Sequence, residues 1–413
     1  MASYTPVSSL TRRHLIFPLS LVLFEFATYI AHDMIQPGML LVTEEFRVSP
    51  EWVSASLTAY LIGGMTLQWL LGPLSDKLGR RPVFLSGVAF FMLTCLATHW
   101  VQSIEQFVLL RFLQGTSLCF IGSVGYAAIQ EAFNEALSVR IMALMANVAL
   151  LAPLAGPLAG AAFLEIGDWR TMFWLFALVT AVALTGLWRT MPETAGDARI
   201  SLSLKSLGKG YMALVKDRQV MSGSLAIGLV TVPCLAWVAL SPVILIHDAG
   251  LSRMDYALLQ IPVFVAMIAG NLTLGKLSSR VAIDRPLRLG AWPILTGLAV
   301  SALATAIDNQ SYLWLTAGLS IYGFGTGLVN AGMYRLTLFS SNAGKGSVAA
   351  MLGMVTILLF AVGIELTKYA YFSDGARAFS LVNLACGVLW YLLVSAFLRE
   401  WKRRSTLNKV EIV

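Results

Sequence analysis

Apolar residues along this chain come in long runs separated by short polar stretches. A helix crosses the ~30 Å hydrocarbon layer of a bilayer with about 20 mostly apolar residues. Runs of that length lie near 14–37, 52–72, 82–101, 106–130, 140–164 and 169–190, and again near 219–247, 255–277, 287–307, 312–338, 346–370 and 378–398. The pattern predicts an all-α membrane protein of twelve transmembrane helices. Its parts are an N-terminal six-helix bundle over 1–190, a cytoplasmic linker over 191–218, a C-terminal six-helix bundle over 219–398 and a cytoplasmic tail over 399–413.

Composition agrees. Charged residues are only 12% of the chain and apolar ones 57%, with a mean hydropathy of +0.75. A soluble domain carries about a quarter charged residues, so much of this surface is expected to face lipid. Cys95, Cys119, Cys234 and Cys386 each stand alone in apolar stretches, as packing residues rather than a disulfide or metal set. The first apolar run contains Glu25 and Asp33 and lacks a small-residue cleavage site, so it reads as a span rather than a removable signal.

The net charge of +7 and pI near 9.3 come from basic residues placed between spans, not in one patch. That is a topology signal, not a nucleic-acid surface. Arg12 and Arg13, Lys77 to Arg81, Arg140, Arg189, Arg199, Lys216, Arg280, Arg288, Lys345 and the tail fall on one side. The other holds few basic residues, among them Arg47, Arg170 and Arg253. Both termini are therefore expected in the cytoplasm, with an even number of spans.

The halves look like repeats. Gly72-Pro-Leu-Ser-Asp-Lys-Leu-Gly-Arg-Arg-Pro82 follows the second span, and a degraded echo, Gly275 to Pro286, follows the eighth. Leu110-Arg111-Phe-Leu-Gln114-Gly115 lies in the fourth span, and Ala152-Pro153-Leu-Ala-Gly156-Pro157-Leu-Ala-Gly160 in the fifth. With these motifs the chain resembles the twelve-span drug:proton antiporter group of the major facilitator superfamily, and Asp33-Met-Ile-Gln-Pro37 is nearest to MdfA-type transporters. The resemblance covers the whole chain.

It implies a major facilitator fold of two pseudo-symmetric six-helix bundles working by alternating access. The implied activity is proton-coupled efflux of lipophilic cationic and neutral drugs such as chloramphenicol- and ethidium-like compounds. The implied partners are drugs, protons and the bilayer around a monomer in the bacterial inner membrane. The coupling ion is H+, and no other cofactor is expected. Gly72, Asp76, Gly79, Arg80 and Arg81 correspond to motif A, a gating latch; Arg111 holds the motif B position; Pro153, Gly156, Pro157 and Gly160 correspond to motif C, associated with export. Physically, Gly72 and Gly79 permit a tight turn, Asp76 can accept from a helix N terminus, and Arg80 can meet a carboxylate across the half-bundle. Gly156 and Gly160 share a helix face and permit close backbone approach, while Pro153 and Pro157 favour bending.

Charges at bilayer depth cost at least ~2.5 kcal/mol each, so function is their first explanation. Glu25 and Asp33 lie in the first span and Arg111 in the fourth; Glu131 and Glu365 lie nearer span ends. Glu25, Tyr29 and Asp33 recur every four residues, so they share a helix face that should line a cavity. Asp33 is assigned as the main proton carboxylate and Glu25 as the substrate-facing acid, with Arg111 at compatible depth; the two acids could exchange roles. A permanent ion pair without proton exchange is the plain alternative.

Further lining is expected from Leu57, Gln114, Leu118, Tyr126, Asn147, Leu151, Trp237, Tyr256, Gln260, Phe264, Asn271 and Phe360, each equally explicable as helix packing. A metabolite or sugar transporter on the same fold is the alternative reading. The four histidines lack metal spacing, and no Gly-x-Ser-x-Gly elbow or Walker A sequence occurs, which argues against an enzyme or an ATP-driven pump.

Overall fold

A computed structural model describes residues 12–195, 204–277, 281, 284–341 and 343–410. Arg199, Arg280 and much of the Gly275–Pro286 echo lie outside the described residues. Contacts divide the chain into two compact units, Met1–Leu204 and Lys205–Val413.

In the first unit, α1 (Arg12–Asp33) stops where Pro37 supplies no backbone donor; a short turn over Gln36–Gly38 leads into α2 (Met39–Glu45). The first span therefore runs Leu15–Glu45, beyond the expected 37. The second is α3 (Val53–Thr66) and α4 (Gln68–Leu78), then α5 (Arg80–Ala97). The fourth holds α6 (Ile104–Gly115), α7 (Ser117–Phe120), a π-turn Ile121–Gly125 and α8 (Tyr126–Ala132). Then come α9 (Glu135–Phe163) and α10 (Trp169–Thr190). α9 bends by 41° between Ala149 and Leu151. Pro153 accounts for this, since its ring displaces the hydrogen bond that Ala149 would receive four residues back.

The second unit begins with α11 (Leu204–Lys216), so the expected polar linker is partly helical. It continues with α12 (Arg218–Ser241), a π-turn Pro242–Asp248, α13 (Arg253–Leu277), α14 (Asp284–Ile307), α15 (Tyr312–Leu338) and α16 (Lys345–Val410). α16 is two helices joined at Asp374 and Gly375, which leave helical geometry. Those halves cover the eleventh and twelfth expected spans. Helix also runs through the expected tail from 399 to Val410.

Eight described helical runs are long and apolar enough to cross a membrane, and the bent α9 makes a ninth. One of the eight, Lys345–Arg403, holds two expected spans; α3–α4 and α15, which lie over the remaining expected spans, are not among these runs. Trp100, Trp188, Trp292 and Trp314 are all exposed, as aromatic anchors facing lipid would be.

The repeat expected from sequence is visible in the packing of each unit. In the first, α1 packs on α9 and α10, α3 on α6, and α5 on α10. In the second, α12 packs on α16, α13 on α15, and α14 on α16. Both second-to-fourth-span contacts rest on paired glycines. Gly63 faces the Phe112 carbonyl and Gly115 that of Tyr60; Gly270 faces the Phe324 carbonyl and Gly327 that of Met267. A methyl at any of them would strike backbone, so the helices approach to contact of main chains.

Candidate functional site

Glu25 is fully buried in α1, and Tyr126 Oη donates to its Oε1 at 3.2 Å. Tyr126 directly follows the π-turn, a distortion common at functional sites. Glu25 Oε2 has no hydrogen-bond partner. Asp33 is 3% exposed and ends α1. Its Oδ1 lies 2.9 Å from His32 Nδ1, while His32 Nε2 is buried without a partner. Tyr29 lies partly buried between the two acids on the same helix.

Arg111, from α6, is fully buried. Nε donates to Ser56 Oγ at 3.0 Å and Nη1 to Gln114 Oε1 at 2.7 Å. Its guanidinium lies over the Tyr60 ring, 4.6 Å from the centroid, a favourable contact when both are dry. Tyr60 in turn donates to the Thr28 carbonyl at 3.0 Å, and its ring sits 5.2 Å from that of His32. Asp33 acts on Arg111 electrostatically, but no ion pair joins them among the described residues. The guanidinium fork is already directed at Ser56, Gln114 and Tyr60, which leaves Nη2 without a partner.

Motif C bears directly on this cluster. A Cβ on Gly156 would meet the Asp33 side chain, and one on Gly160 the Met34 carbonyl and Pro37. Glycine there lets α9 close over the end of α1. Pro157 is buried one turn after Pro153.

Motif A is an ion-pair network within the first unit. Arg80 reaches Asp76 at 2.6 Å, Glu131 at 2.8 Å and Ser75 Oγ at 2.6 Å, tying α4, α5 and α8 together. The acid seated on a helix N terminus is Glu193, which accepts from the backbone of Arg80 at 2.8 Å and Arg81 at 3.2 Å. Asp76, expected in that role, pairs with Arg80. Gly72 lies inside α4 with open space around it, so the turn rests on Gly79 alone, at φ 103°.

The expected lining residues divide. Gln114 is fully buried, and its amide also donates to Thr98 Oγ1 at 2.9 Å and the Thr94 carbonyl at 3.2 Å, which makes it a support for Arg111. Leu57 is fully buried, and Leu118 packs on Gly64. Asn147 and Leu151 are exposed on α9. In the second unit Gln260 donates to Ser241 Oγ at 3.1 Å, while Gln260 Oε1 and Trp237 Nε1 are buried without partners. Tyr256 and Phe264 are buried there too; Asn271 and Phe360 are partly exposed. Sequence reading missed His32, Tyr60 and Ser56 as members of the cluster, and Glu193 as the helix cap. Only His32, a titratable neighbour of Asp33, carried a usable signal.

Comparison with known proteins fits this architecture. The multidrug transporter MdfA of Yersinia pestis bv. Antiqua is 56% identical over 398 residues, covering 96% of this chain and 97% of its own. The multidrug transporter MdfA of Edwardsiella ictaluri is 56% identical over 391 residues, 95% of each chain. Among solved structures, a partially occluded inward-open form of the xylose transporter XylE from E. coli matches with a TM-score of 0.71. It is 15% identical and covers 94% of this chain and 98% of its own. A bacterial homologue of the human lysosomal transporter Spinster matches at 0.68, with 13% identity and coverage of 96% and 98%. Residues 21–367 match the Major Facilitator Superfamily, and the chain is a multi-pass membrane protein belonging to that superfamily.

Proposed function

We propose that this chain is a multidrug exporter that exchanges lipophilic cationic and neutral compounds for protons by alternating access. It would act as a monomer in the bacterial inner membrane, with both termini in the cytoplasm. The observation that carries the reading is the pair of buried carboxylates on α1, Glu25 and Asp33, in a cluster with unpartnered polar atoms around them. The relatives' description as multidrug transporters supports the drug substrates.

Asp33 is the proton-carrying group in this mechanism. Protonated, it lies neutral against the carbonyl end of α1; ionised, it is held by His32 and the field of Arg111. Closure of α9 over α1 through Gly156 dries the site and favours the neutral form; opening admits water and favours release. Glu25 faces the substrate, and its unpartnered oxygen accepts from a neutral drug or balances a cationic one. Arg111 stays charged because Ser56, Gln114 and the Tyr60 ring replace its water.

Proteoliposomes loaded with ethidium under an imposed pH gradient test the reading. Wild type extrudes dye uphill, Asp33→Asn carries it only downhill, and Glu25→Gln loses cationic dye before neutral substrates. Uphill export by Asp33→Asn at the wild-type rate refutes the assignment.

A further inference from the structure

The second unit carries a groove outside the transport chemistry. It lies between the first turns of α14 and the late turns of α16, and encloses about 650 Å³. The two helices touch deeper down, where Gly387 meets Leu298. They are tied at the rim by Lys402 Nζ on the Asp284 carboxylate at 2.8 Å. Leu287, Ala291 and Leu295 form one wall, and Leu392, Val394 and Leu398 the other.

Each wall also contributes one arginine, Arg288 and Arg399, both exposed. The described lining contains no acid. Two described acids near the rim are engaged: Asp284 pairs with Lys402 at 2.8 Å and with Arg288 at 3.8 Å, and Glu400 holds Arg403 at 3.1 Å. Arg399 donates back to the Ser395 carbonyl at 3.3 Å. The mouth of an apolar slot therefore carries two guanidinium groups, of which Arg288 pairs at 3.8 Å with a carboxylate it shares with Lys402. Trp292 and Tyr391, 73% and 44% exposed in the same lining, are the residue types that sit at headgroup depth.

We infer that this groove binds one anionic phospholipid, its phosphate on Arg288 and Arg399 and an acyl chain along the apolar walls. A soluble anion would satisfy the arginines and leave the walls wet. A zwitterionic lipid would fill the walls and leave positive charge over. Guanidinium forks match phosphate oxygens, and basic pockets between membrane helices take anionic headgroups. The lipid would brace α14 to α16 as Lys402 and Asp284 do. The groove's lining lies wholly in the second unit and includes none of the residues assigned to proton or drug handling.

The test is native mass spectrometry of the full chain after equilibration with mixed micelles of phosphatidylglycerol and phosphatidylethanolamine in equal amounts. Wild type is expected to retain phosphatidylglycerol selectively. The double variant Arg288→Gln/Arg399→Gln should lose it by ~30-fold, the weight of two basic contacts at a membrane surface. Ala291→Phe, which keeps both charges and fills the slot, should lose it as well, and Arg285→Gln, outside the lining, should not. Equal retention of both lipids by wild type, or undiminished phosphatidylglycerol on the double variant, overturns the inference. So does complete displacement by millimolar inorganic phosphate, which would make the site one for a free anion. Ethidium efflux by each variant reports that it is folded.

Discussion

Arg111 shows how a charge is kept in a membrane helix. Burial without compensation would be prohibitive, so Ser56, Gln114 and the Tyr60 ring surround it, and Gln114 is held in turn by Thr98. The sequence placed Glu25, Asp33 and Arg111 at membrane depth because charged residues there are rare. It could not identify their partners, since one serine or tyrosine in a span looks like any other. Gln114 illustrates the limit: a polar residue in an apolar helix suggests a lining, whereas its amide faces Arg111. Arg111→Lys is expected to fail despite keeping the charge, since an ammonium reproduces neither the fork nor the stacking on Tyr60. Dye efflux at least ~10-fold below wild type, with normal expression, is the expected readout. His32→Asn removes the titratable neighbour of Asp33 and keeps a polar side chain. Export by this variant is expected to persist at a reduced rate, since Asp33 loses its imidazole partner; wild-type export would leave His32 a packing residue.

At the scale of elements, the residues of the proposed site gather where helices break. α1 ends at Asp33, α9 bends at Ala149, and a π-turn precedes Tyr126. The sequence marked the bend in α9 through Pro153, but the end of α1 fell inside an expected span over 14–37, and the π-turn, which has no comparable signature, was missed. The charge pairing of motif A was legible in composition and partly misread in geometry. Its acid–arginine pairs do form, yet the cap on α5 comes from Glu193, more than a hundred residues away in sequence. Gly79→Ala should destabilise the chain by ~1–2 kcal/mol through its left-handed φ, and also push Glu193 off the helix end. Loss of thermal stability in detergent measures it. Glu193→Ala alone should cost ~1 kcal/mol, as removal of a helix cap does. Gly156→Ala is expected to lower proton-linked efflux, because even its methyl would meet the Asp33 side chain and press on the end of α1; wild-type efflux would separate motif C from the acid.

For the whole molecule, an all-helical membrane fold was readable because lipid imposes both length and composition on every span. The repeat was faint in sequence, where only the Gly275–Pro286 echo showed it, and clear in packing, where the same helix pairs meet in each unit. Backbone contact at paired glycines survives changes of nearly every other side chain, which is why structure preserves what sequence blurs. Energetically, one proton entering through ~100 mV releases ~2.3 kcal/mol. Half a pH unit adds ~0.7 kcal/mol, enough together for a roughly hundredfold gradient of a neutral drug. A monovalent cation exchanged for one proton would draw on the pH difference alone.

The central claim is that drug and proton compete at the acids of α1, and proton release on drug binding tests it most directly. Adding tetraphenylphosphonium to the solubilised full chain in weak buffer should acidify the medium in proportion to bound drug, and the double variant Glu25→Gln/Asp33→Asn should release nothing. Undiminished release from that variant, or drug binding to wild type with no protons released at any pH, would contradict the account.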